Sequence, residues 1–141
     1  MDQNENLLQE VYKNVKMGSD SIINLIDQVE DSGLRSEMSR ELGKYQRFAA
    51  DTTARLEERG LKPKELPMTA KLGAKMGMAF NTMLDTTTSH LSEMMINGAN
   101  MGIVKLEKKL NHGEYSASSR ALAEEVVDFE KKTIDNLTSF L

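Results

Sequence analysis

Two glutamates, Glu41 and Glu130, flank the apolar stripes of the second and the last helical stretches of the chain. Turned inward, a pair of carboxylates without histidine would hold a hard cation such as Mg²⁺ or Ca²⁺, which takes oxygen ligands. Their neighbours argue for water instead. Glu41 stands three residues before Lys44, and Glu130 is followed by Lys131 and Lys132, so both read as solvated helix-edge charges beside cations. The only histidines, His90 and His112, fall near opposite ends of one helix and cannot share a site. The serines between Ser116 and Ser119 precede a helix, where a hydroxyl serves first as a cap. The absence of cysteine excludes a disulfide framework, a thiolate zinc site and a cysteine nucleophile. There is no glycine-rich phosphate loop and no histidine pair at helical spacing. The residues therefore give no catalytic group, no metal ligand set and no cofactor, and they lean away from an enzyme.

The elements that must position these groups are helices. The 141 residues suit a single domain spanning 1–141, with Pro63 and Pro67, the only prolines, as the internal punctuation. A first helix is expected over Asn4–Asp31, with Leu8, Val11, Val15, Ile22, Leu25 and Val29 on one face. Asp31-Ser32-Gly33 should end it on an αL-tolerant glycine and offer caps to the next helix. The second helix, over Leu34–Arg59, presents Leu34, Met38, Leu42, Tyr45, Ala49, Thr52 and Leu56 inward and closes at Gly60. The third spans Thr86–Asn111 behind an Asp85 cap, with Leu91, Met95, Ala99, Ile103, Leu106 and Leu110 on its face. The fourth starts near Ser116–Ser119 and runs to the C-terminus on Leu122, Val126, Phe129, Thr133, Leu137 and Phe140. Short turns make helices one and two, and three and four, antiparallel neighbours.

Between the hairpins, residues 61–85 form a crossover in which Pro67 opens a shorter helix over Met68–Leu84. At ~1.5 Å per residue that helix is roughly 25 Å long, against about 40 Å for the main helices, enough to carry the chain back along the bundle. The second and third helices then run parallel. The fold class is all-α: a four-helix bundle of two hairpins and one long crossover.

Gly18, Gly98 and Gly102 lie inside helices at a cost of roughly 0.5–1 kcal/mol each relative to alanine. Close helix approach is the reading for them, and a small ligand cavity the alternative. Ten methionines against four Phe and three Tyr imply an adaptable core, with Met94, Met95 and Met101 facing inward. The crossover holds Met76, Met78 and Met83, a small-residue stripe of Ala70, Gly73, Ala74 and Gly77, and the locally basic set Lys62, Lys64, Lys71 and Lys75. It suits packing on the bundle or at a subunit interface, and more weakly a membrane surface. A balance of 18 Lys+Arg to 22 Asp+Glu argues against nucleic acid. No apolar run nears the ~18 residues of a transmembrane span and no leader is visible, so the expected location is cytoplasmic.

This layout resembles the ferritin-like superfamily and, within it, a bacterial family of small bundles known only as a domain of unknown function. The matching features are the Asp31-Ser32-Gly33 turn, the crossover from Pro67 to Leu84, Asp85, and the glycines buried in the first and third helices. The resemblance implies a carboxylate-bridged di-iron site: a Glu from each of two helices and a Glu-x-x-His from each of the other two. The positions that would carry it do not comply. Gly18 and Ser19 turn inward in the first helix while Asp20 points away, Ala99 occupies the core face of the third, and the second and fourth contain no histidine. The expected protein is a ferritin-like bundle without its metal centre, a non-enzymatic association module and a homodimer. A metal- or small-ligand-binding bundle with a redox or storage role is the alternative.

Overall fold

The computed structural model describes residues 2–64 and 85–141, and four α-helices account for most of them. They are α1 (Gln3–Leu25), α2 (Ser32–Glu58), α3 (Thr88–Asn111) and α4 (Ala117–Thr138), with no strand among the described residues. The expected crossover helix over Met68–Leu84, with Lys71, Lys75 and the three methionines, lies outside them.

Local chemistry sets the boundaries. The Asp2 carboxylate accepts from the Glu5 N–H at 2.8 Å while the Glu5 side chain accepts from the Asp2 N–H, a reciprocal box that satisfies donors otherwise left without partners. The first helix is shorter than its apolar pattern implies: it stops at Leu25 and passes through a 3-10 turn, Ile26–Gln28. The physical reason is Asp31. Its carboxylate accepts from the Leu34 N–H at 2.8 Å and starts α2, so Ser32 and Gly33 begin a helix rather than end one. The left-handed glycine is Gly60 (φ 73°), where the Gly60 and Leu61 N–H groups close back on Glu57 and Leu56. Thr87, not Asp85, caps α3; Asp85 accepts from the Thr87 N–H at 2.9 Å and shapes the approach. Ser116 caps α4 as expected, and that helix ends at Thr138.

The interior is one apolar cluster drawn from all four helices. α1 packs most extensively on α2 and α3 on α4, with α1 also touching α3 and α4. Leu7, Leu8, Leu34, Leu91, Leu106 and Leu122 are almost fully shielded, each contributing on the order of 2 kcal/mol by burial. The expected faces of α1 and α3 are buried as read. Met101 is a correction: it lies 59% exposed, two residues from both Ala99 and Ile103 of the buried stripe, while Met95 is buried and Met94 half-buried. Polar links fix the ends, with Gln3 and Asn4 of α1 accepting from the Glu114 and Ser116 N–H groups before α4.

Candidate functional site

Each helix contributes one residue near its middle to a polar cluster built on Glu130. This α4 carboxyl is 2% exposed. The α1 side chain Asn14 donates from Nδ2 to its Oε1 at 2.9 Å, and the α2 side chain Tyr45 donates from its hydroxyl to Oε2 at 3.0 Å. α3 contributes Gly102, where a Cβ would sit 2.7 Å from Asn14 Nδ2 and 2.9 Å from Glu130 Oε2. The Tyr45 ring needs its own clearance, because a Cβ on Gly18 would come within 2.6 Å of it. Phe129 holds the other side of the ring edge-on, with centroids 5.0 Å apart.

The electrostatics follow from this enclosure. Burial disfavours the charged carboxylate and pushes Glu130 up to about 7, even though the donors Asn14 and Tyr45 favour the ionised form. Burial, with the Glu130 charge beside it, also raises the Tyr45 hydroxyl well above its ordinary value. One turn before Tyr45, Glu41 is fully buried, with no donor to either carboxyl oxygen among the described residues and the Glu37 carboxylate beside it to accept its proton. Burial first, and the nearby Glu37 next, push it up to about 10, so it is protonated at neutral pH. Glu37 itself is tied to Arg40 at 2.7 Å.

These placements correct the reading of Glu41 and Glu130 as solvated helix-edge charges. Lys131 and Lys132 are indeed exposed, but Glu130 falls in step with Val126, Thr133 and Leu137, and Glu41 with Met38 and Tyr45. A charged neighbour along the chain says nothing about the face of a helix; the three-four spacing does. Leu42 and Ala49, taken for core, are half-buried, and Phe48 takes the inward place. Phe129 and Phe140 are likewise half-buried.

The residues do not fit the di-iron set that the ferritin-like resemblance implies. Ser19 is buried and donates to the Lys16 carbonyl, Asp20 pairs with Lys16 at 3.2 Å, and Ala99 is buried. Glu130 already spends one lone pair of each oxygen on Asn14 and Tyr45. Among the described residues no three His, Asp or Glu side chains converge on a point, and His90 and His112 stay at opposite ends of α3.

Above Glu130 a cavity of about 190 Å³ opens between α1 and α3. Its walls are Met17, Tyr45, Met95, Ala99 and the glycines Gly18, Gly98 and Gly102, and Glu130 and Asn14 give it a polar end. Of the glycines that line it, Gly18 and Gly102 serve close approach, whereas a Cβ on Gly98 would meet nothing within 4 Å. Close approach therefore accounts for Gly18 and Gly102, and all three glycines line the cavity. A dry cavity of about 150 Å³ accepts a benzene-sized molecule, so this one is large enough for a small ligand.

No family model matches the chain, and no curated protein or solved structure is significantly similar to it. No helix among the described residues is long and apolar enough to cross a membrane.

Proposed function

We propose that the chain is a ferritin-like bundle of two antiparallel hairpins joined by the long crossover, that it works in the cytoplasm without a di-iron centre, and that it is a non-enzymatic module binding a small molecule. Cross-helix contacts support the topology. Asp2 reaches Arg59 at 3.7 Å, at opposite ends of α1 and α2, and Arg120 donates to the Leu110 carbonyl across the turn between α3 and α4. Tyr45–Glu130 and Arg55–Ser118 give α2 and α4 opposed directions.

The observation that carries the binding reading is the cavity floored by Glu130. Three helical glycines line it, each giving up helix propensity, and at Gly98 no neighbour within 4 Å of a Cβ accounts for that cost. Equilibrium dialysis and ligand-detected NMR with small amphiphiles test the reading, and elemental analysis of the purified protein tests the metal-free part. Binding that disappears when Gly98→Leu fills the space supports it. Stoichiometric iron or manganese would refute the metal-free part.

A second reading, association as a homodimer, is favoured by the exposed apolar side chains Met101 and Val104 on α3 and Ile23 on α1. Sedimentation at micromolar concentration decides it: a dimer that Val104→Lys dissociates supports it, and a monomer removes it.

A further inference from the structure

At the inner end of the α1–α3 cavity, around Glu130 and Asn14, hydrogen-bond acceptors outnumber free donors, while Lys13, Lys105 and Ser21 line it farther out. Glu130 turns a carboxyl toward it, and each carboxylate oxygen, having two lone pairs, keeps one after receiving Asn14 or Tyr45. The Tyr45 hydrogen and one of the two Asn14 amide hydrogens are spent on Glu130 in the same contacts, which leaves a single Asn14 N–H, and Asn14 Oδ1 has no partner among the described residues. Away from this end the walls turn apolar, through Met17, Met94 and Met95 toward Leu25. From Asn14 to Leu25 the helix advances about 16 Å, so the space is a narrow cleft rather than a sphere.

From this geometry we infer that the cavity binds a small linear primary alkylammonium ion, with its ammonium group on Glu130 and its hydrocarbon chain along the methionine wall. An ammonium group has three donors and no acceptor, which complements a floor of acceptors. The charges facing Glu130 from every side are few. α1 brings Glu10 and Lys13 to the rim, α3 brings Lys105, and α2 brings the Tyr45 hydroxyl and, one turn away, the protonated Glu41. Lys105 is exposed and Lys13 half-exposed, where water screens their repulsion, whereas the Glu130 charge acts at short range in a shielded floor. Rim lysines alone would favour an anion; the interior carboxyl reverses that preference. The bound ion also needs an ionised Glu130, which is near half-protonated at pH 7. Affinity for it should therefore rise with pH between 6 and 8, by about tenfold, as Glu130 loses its proton.

The inference rests on the cavity being a binding site, and a matched series separates the two ideas. Hexylamine, 1-hexanol and hexanoate share a chain and differ in head group; their affinities for the full-length protein are measured by calorimetry or NMR titration at pH 6 and pH 8. Hexylamine binding at least tenfold tighter than the other two at pH 8, and about tenfold weaker at pH 6, is the expected result. Glu130→Gln should erase the preference for hexylamine while 1-hexanol affinity stays the same, and Gly98→Leu, whose side chain enters open space, should abolish binding of all three. Equal or tighter binding of hexanol or hexanoate to the wild type overturns the ammonium assignment and leaves the cavity as a site. No binding of any of the three at millimolar concentration overturns both.

Discussion

The Tyr45 hydroxyl reaches across the bundle to Glu130 Oε2 at 3.0 Å, and the ring that carries it lies in the space left by the missing side chain of Gly18. A glycine on α1, an aromatic on α2 and an acid on α4 are thereby one unit. The hydrogen bond favours the charged carboxylate and burial opposes it, which is why Glu130 sits near neutrality rather than far above it.

Removing that donor should matter more when the carboxylate is charged. Tyr45→Phe is expected to cost about 1.5–3 kcal/mol at pH 8, the range for a hydrogen bond to a charged group, and clearly less at pH 5. Urea unfolding at the two pH values measures the difference. An equal cost at both would mean that the hydroxyl does not hold the ionised form.

The Glu41 carboxyl is fully buried with only Glu37 to take its proton, so burying it costs the fold more than that one contact returns. Glu41→Met, which keeps the length and removes the polar atoms, should stabilise the fold by about 1–3 kcal/mol. A rise in the thermal midpoint checks this; a fall would show that the carboxyl has a partner the fold depends on.

Two glycines should respond with opposite sign. Gly98→Ala places its methyl in open space and gains about 0.5–1 kcal/mol of helix propensity. Gly18→Ala drives a methyl against the buried Tyr45 ring and should cost about 1–3 kcal/mol. Chemical denaturation of both variants is a direct comparison.

Stability should fall as the solution becomes more alkaline. An unfolded glutamate titrates near 4.5, while folded Glu130 and Glu41 hold their protons to about 7 and about 10. Between those values the folded state binds more protons than the unfolded chain, so raising the pH pulls toward unfolding. Glu130 accounts for roughly 3 kcal/mol at most, lost between pH 4.5 and 7, and Glu41 continues the decline above that. Urea midpoints at pH 5, 7 and 9 should decrease in that order, and replacing both acids with glutamine should flatten the trend.

Much of the bundle was legible because apolar residues at three-four spacing bury together whatever lies between them. Leu91, Met95, Ala99, Ile103, Leu106 and Leu110 are read from the pattern and found in the core. The α1 end was not, since an apolar Val29 continued the stripe while Asp31 was already capping the next helix. The site itself was half visible. Its glycines declared themselves by sitting where helices disfavour them. Glu41 and Glu130 were misplaced because charge was weighed above register. The spacing from Val126 through Glu130 to Thr133 and Leu137 held the correct answer. What no pattern could supply is the tilt of the Tyr45 ring over Gly18, on which the polar floor depends.

The most direct test is a ¹³C NMR titration of the glutamate side-chain carboxyls in the intact protein, with Glu130→Gln and Glu41→Gln to assign the signals. The expected result is one carboxyl titrating near pH 7, moved lower by hexylamine, and a second that stays protonated through neutrality. Two carboxyls that both ionise near 4.5 would mean that water reaches them, and the buried proton-holding floor of this cavity would not exist.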